Sequence, residues 1–229
     1  PVVRLTLAST LQRIPFEDRA TLAAPLLAQA GDANDHNLPL MLWYGLIPLG
    51  ASAPNALAQA GAGCAIPQTR RLIARRLGEG IDAEGTAVNL LLEAALKNKS
   101  EAFSADILSG LSDGFVGRRK AAKPAGWDAL ATKINNGNNT ALKDRVRELS
   151  VFFGDGRALD ELKALALDPK AELNNRRAAL RTLIENRPPD LRSLCESLLN
   201  TRFLNATAAK GLALFDEPAR ARVLAAAPQ

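Results

Sequence analysis

Aromatic residues make up only 4% of this 229-residue sequence, and histidine occurs once, at His36. Methionine and tyrosine also occur once each, as Met41 and Tyr44; there are two tryptophans and two cysteines, Cys64 and Cys195. With so few aromatics the core must be aliphatic and Ala-rich, which suits closely packed helices better than a β-sandwich. No convincing alternation of apolar and polar residues marks a strand. A lone histidine restricts nucleophilic catalysis, because any Ser-His-Asp or Cys-His arrangement has to use His36. It is equally restrictive for zinc or iron, since no second nitrogen or sulfur ligand lies near it. The cysteines lack metal-ligand spacing and leave two readings open, a pair of buried thiols or one long-range disulfide. The longest apolar run, Leu38–Leu49, is interrupted by Gly45 and Pro48 and falls short of the ~18–20 residues of a membrane span. It reads as a buried helix. The chain starts at Pro1 with no initiator Met and no signal-type run, so it reads as a piece of a larger polypeptide.

What is present is helical vocabulary. Apolar residues reach 47% and the net charge is +5, with a pI of about 9.5. That balance permits an anionic partner without requiring one. Turn signals recur along the chain, from Pro15 and Gly31–Asn37 to Pro188–Pro189 and Glu217–Pro218. Between them lie segments of roughly 10–17 residues with apolar spacings of three and four, the pattern of amphipathic helices. Val2–Leu11 and Asp82–Leu96 are two clear cases. In the C-terminal third the pattern repeats at an offset of about 29 residues, the usual order for helical-pair repeats. Leu162 maps onto Leu191, Leu165 onto Leu194, Ala179 onto Ala208, Leu183 onto Leu212 and Pro189 onto Pro218. Gly126–Gly154 reads as a preceding unit with Arg145–Phe153 as its inner helix. The expectation is an all-α, HEAT-like solenoid of stacked antiparallel helix pairs. It would be one domain over 1–229, with an irregular part at 1–114, an exposed loop junction at 115–126 and regular repeats at 127–229.

Candidate chemistry is sparse. In Asp35–Leu49, Asp35 or Asn37 is placed to cap the next helix, and Pro39 suits a first turn. Leu38, Met41, Leu42, Leu46 and Leu49 then cover most of the circumference, as in a helix packed on several sides. His36 with Asp32 or Asp35 would be the only metal site or proton shuttle on offer, and His36 with Met41 the only non-covalent haem pair; neither set has enough ligands. Trp43 and Tyr44 are of the types favoured at interfaces. Asp82, Glu84, Asp155, Asp160 and Glu161 read as helix-start carboxylates that offset the helix dipole. Gly61-Ala-Gly63 and Gly78-Glu-Gly80 read as turns, lacking the strand-loop-helix context of a phosphate cradle. Arg70, Arg71, Arg75 and Arg76 spread around a helix, with only Arg71 and Arg75 on one face. Arg118, Arg119, Lys120 and Lys123 form a denser loop cluster fit for phosphate or an acidic surface. Arg176, Arg177 and Arg181 are expected to be solvated and paired with nearby Asp or Glu. No residue qualifies as catalytic, cofactor-binding or metal-ligating. The candidate interaction surface is His36, Trp43, Tyr44, Arg118, Arg119 and Lys120.

Several segments carry a resemblance: Val2-Val3-Arg4-Leu5-x-Leu7-Ala8, Asp35–Leu49, Pro124-Ala-Gly-Trp127, Phe152–Leu159 and Arg176-Arg-Ala-Ala-Leu180. They resemble the HEAT-repeat region of the membrane-bound dehydrogenase family with a c-type haem-binding domain, of Planctomycetes–Verrucomicrobia type. The resemblance implies an upstream β-propeller like that of sugar dehydrogenases, this helical region as a connector, and a downstream cytochrome c domain, all exported to the periplasm. This stretch has no propeller strands and no Cys-x-x-Cys-His, so haem c belongs to another domain and no redox role passes to any residue here. The functional expectation is a non-catalytic scaffold or protein-interaction domain whose partners are flanking domains or other proteins. The alternative is a HEAT-like nucleic-acid binder or DNA-repair glycosylase, favoured by the pI and opposed by the few aromatics and the lack of a continuous basic stripe. A small enzyme centred on His36 is the third reading.

Overall fold

The computed structural model of the protein describes residues 2–82, 85–118, 120–154 and 156–215, and among these it is all-helical with no strand. In chain order the helices are α1 (Val2–Thr10), α2 (Phe16–Leu27), α3 (Leu38–Leu46), α4 (Leu49–Ser52), α5 (Pro54–Ala62), α6 (Pro67–Glu79) and α7 (Gly85–Lys97). They continue with α8 (Glu101–Gly114), α9 (Trp127–Asn135), α10 (Thr140–Phe152), α11 (Gly156–Leu167), α12 (Leu173–Asn186), α13 (Leu191–Leu198) and α14 (Asn205–Leu212). The chain divides into two compact units, Pro1–Leu149 and Ser150–Gln229. The division falls inside α10, whereas the sequence pointed to one domain with its looser junction at 115–126. Glu84, Asp155, Arg119 and Pro218 lie outside the described residues.

Local chemistry explains where the helices begin. Pro39, Pro54 and Pro67 occupy first-turn positions, where the missing N–H costs nothing and φ is already helical. The Ser100 hydroxyl accepts from the Phe103 amide at the start of α8, and the Glu172 carboxylate accepts from the amides of Asn174 and Asn175 at the start of α12.

In the first unit the helices pack in two rows. One row runs α1, α3, α6, α8 and the other α2, α5, α7, α9, each helix touching the next in its row. The tightest join is α6 against α8, which run in the same direction, Arg70 level with Asp106 and Gly78 level with Leu111 and Gly114. Gly110 and Gly114, one turn apart on α8, let the two backbones approach closely. A Cβ on Gly110 would sit 2.3 Å from the Arg71 carbonyl oxygen, and one on Gly114 2.6 Å from that of Arg75. Gly61 in α5 plays a similar part, because a Cβ there would meet Ile73 at 2.9 Å and Leu91 at 3.0 Å. Gly61 and Gly78 are therefore helix-packing residues; only their neighbours Gly63 and Gly80 stand at helix ends.

The second unit is organised by leucine. Leu162, Ala179, Leu183, Leu191, Leu194, Cys195, Ala208 and Leu212 belong to one buried cluster, with Leu165 against its edge. In this unit α11 packs on α12, α13 on α14, and α12 on α14. Cys64 and Cys195 are both buried free thiols, which settles the choice left open by their spacing. Burial pushes each thiol pKa up to about 11.

Candidate functional site

The Asp35–Leu49 segment is held from its first residue. The Asp35 carboxylate, not Asn37, accepts the amides of Asn37 and Leu38, each at 2.9 Å, and these bonds keep its pKa below the usual carboxylate value. Nearby, Arg4 on α1 grips Asp32 with two charge-assisted bonds of 2.6 and 2.7 Å. That contact lowers the Asp32 pKa and raises that of Arg4. Asp32 is therefore committed to Arg4 and is not a partner for His36. His36 is exposed and makes no hydrogen bond among the described residues. Leu38, Leu42, Leu46 and Leu49 are buried, and α3 touches α1, α2 and α6 as a helix packed on several sides. Trp43 is only 7% exposed, so it belongs to this core and presents little surface, whereas Tyr44 is 48% exposed. Of the three aromatic or imidazole groups in the segment, His36 and Tyr44 are accessible.

The basic loop after α8 is tied down rather than simply solvated. Phe115 and Pro124 are buried at its two ends. Arg118 donates to the carbonyls of Gly78 and Glu79 at the C-terminal end of α6 and pairs with Asp82, while its guanidinium lies 5.9 Å from the Phe115 ring centre. A cation there complements the negative end of the helix dipole. Asp82 also accepts the Ala122 amide, so its carboxylate anchors the loop. Lys123 pairs with Asp128 at 2.6 Å. Of the four cations in the cluster, Arg118 and Lys123 are taken and Lys120 is exposed. No hydrogen bond, ion pair or ring contact among the described residues brings this loop together with His36 or Tyr44.

The other basic side chains tell the same story. Arg19, Arg70 and Arg176 are buried, each the fourth residue of its helix. Arg19 donates to the carbonyls of Gln12, Ile14 and Gly45 and stacks 4.6 Å from the Phe16 ring centre. Arg70 binds Asp106 and the Cys64 carbonyl and lies over Phe103. Arg176 donates to the Ala166 carbonyl at the end of α11. Lys133 reaches three carbonyls at the end of α7, those of Ala95, Leu96 and Asn98. Arg71 pairs with Asp113, and Arg75 and Arg76 both reach Glu79. The pairing expected for Arg176, Arg177 and Arg181 with carboxylates is not what forms: Arg176 and Arg177 bind carbonyls and Arg181 is exposed.

The described residues contain no group of three His, Cys, Asp or Glu side chains placed to hold a metal ion. A cavity of about 60 Å³ opens at the start of α8, lined by Ser100, Glu101, Ser104, Lys133 and Asn139 among others. Its polar groups already satisfy one another: Asn139 donates to Glu101 at 2.8 Å and Lys133 is engaged with carbonyls. At a tenth or so of the volume of a drug-sized ligand site, it is a place for water. No described helix is long and apolar enough to cross a membrane. One exposed feature escaped the sequence reading, Phe203, which stands outward from a turn with Arg202 on its ring; nothing in the local pattern marks a residue for positive φ. No family model, curated protein or solved structure matches the chain.

Proposed function

We propose that this region is a non-catalytic helical-repeat scaffold, a HEAT-like solenoid of antiparallel helix pairs that holds other domains or protein partners in register. The observation that carries the reading is the use made of its polar chemistry. Arg19, Arg70, Arg118, Lys133 and Arg176 all bind backbone carbonyls at or near helix ends, so the charged residues join helices to one another. The two rows of the first unit, each helix against the next, are the packing that stacked pairs produce. A nucleic-acid track would need cations in a row facing solvent, and here many are occupied. On the resemblance of its sequence segments, the region connects a dehydrogenase-like propeller to a cytochrome c domain in an exported redox protein. Haem c would then sit in that separate domain. Sequencing the coding region on both sides tests the connector role: propeller repeats upstream and a Cys-x-x-Cys-His downstream are expected, and a gene with neither would remove it.

A further inference from the structure

We propose that the edge between α12 and α14 is a docking surface for an acidic, carboxylate-rich segment of a partner protein. The two helices run in the same direction, with Arg177 level with Phe203 and Ile184 level with Gly211. Arg177 donates to the Phe203 carbonyl at 3.2 Å and so fixes the turn that precedes α14. In that turn Phe203 has φ 67, a left-handed conformation that a bulky side chain adopts at a cost, and its ring is 53% exposed. Nothing in the buried cluster of this unit requires the ring, since Phe203 is not part of it. Arg202 stacks on the ring at 4.7 Å, which leaves the guanidinium edge available as a donor fork. One turn beyond Arg177, Arg181 follows on the side of α12 that carries Arg177 and Ile184 toward α14, and Lys210 immediately precedes Gly211 on α14. Both are exposed, and neither forms an ion pair among the described residues. Glu185, a further turn along α12, is exposed as well. Arg202 on the ring, with exposed Arg181 and Lys210 within about 10 Å of its level along the helix axes, matches carboxylates flanking an aromatic or aliphatic side chain.

The choice of a protein over a nucleic acid rests on the scaffold reading and on the size of the patch. A single ring and three cations form a local spot, without the succession of stacking platforms that single strands use. The test is fluorescence anisotropy with a fluorescein-labelled Asp/Glu-rich peptide carrying a central Trp. The protein should bind it, and the double variant Arg181→Glu/Lys210→Glu should bind about tenfold more weakly or worse. Phe203→Gly suits the left-handed backbone, so it should keep or raise thermal stability while also weakening the peptide. Far-UV circular dichroism checks the fold of the charge-reversed protein, and Phe203→Gly decides the matter should that protein not fold. No binding by the unaltered protein, unchanged affinity in both variants, or equal binding of a single-stranded oligonucleotide at the same patch would overturn the proposal. The flanking-gene result is independent of these outcomes, so either idea can fail alone.

Discussion

Helices α6 and α8 in the first unit, and α12 and α14 in the second, are two same-direction pairs built by different means. In the first pair glycine brings backbone onto backbone, and the edges are closed by ion pairs, Arg70 with Asp106 and Arg71 with Asp113. In the second, Gly211 lies against side chains, the Cys195 sulfur and Ile184, and the cations at the edge stay outside. Backbone cannot yield, whereas a side chain can rotate. The α6–α8 join should therefore be rigid and intolerant of change, and the α12–α14 join more forgiving, with its charge free for another role.

The sharpest way to break that contrast is Gly110→Ala. Its Cβ would lie 2.3 Å from the Arg71 carbonyl oxygen and 2.6 Å from the Ala74 Cβ, so the helices must separate. A loss of about 3 kcal/mol is expected from urea unfolding. Arg70→Met comes next, at about 2–3 kcal/mol, because it strands the half-buried Asp106 carboxylate and the Cys64 carbonyl. Gly211→Ala should cost only about 1 kcal/mol, since Ile184 and Cys195 can shift. Gly31→Ala, with nothing within 4 Å of the added carbon, should fall within about 0.5 kcal/mol of zero. Equal costs at Gly110 and Gly211 would erase the distinction.

A smaller effect should appear with acid in the first unit. Asp32 has its pKa lowered by Arg4, so the native state holds fewer protons than the unfolded chain in the acid range. The contact stabilises fully at neutral pH, and that contribution fades as pH falls below about 4, the usual Asp value, through the lower native one. Thermal melts of the protein and of Asp32→Asn should converge at the acid end; a constant gap would sink the assignment. The last probe reads local opening. Each unit holds one buried thiol with a pKa of about 11, so thiol labelling at neutral pH should wait for local opening. Cys195→Ser leaves Cys64 to report on the first unit, and Cys64→Ser leaves Cys195 to report on the second. Labelling in the first should be the slower; fast labelling of Cys64 in the folded state would contradict the tight α6–α8 join.

Much of the fold was legible because helix periodicity and turn residues are local. Val2–Leu11 is α1 with the turn that follows it, Asp82–Leu96 became α7 over Gly85–Lys97, and the 29-residue offset marks α11–α12 and α13–α14. The candidate site was less legible. Trp43 is of an interface type, but its place on α3 points it inward. Arg118 looked like a free loop cation until the end of α6 was brought beside it. Gly110-x-x-x-Gly114 is plain in the sequence, yet only a helix lying across it distinguishes a packing surface from a weak helix.

By itself, then, the sequence determined the helical class, the aliphatic core and the scarcity of histidine, cysteine and aromatic side chains, because these follow from composition and from contacts within a turn or two. Only the tertiary structure decided the fate of the charges. A cation thirty or forty residues from its partner carbonyl or carboxylate, such as Arg118 or Arg70, has no local signal of its role. Whether it faces solvent or closes a helix end depends on which helix the fold lays beside it.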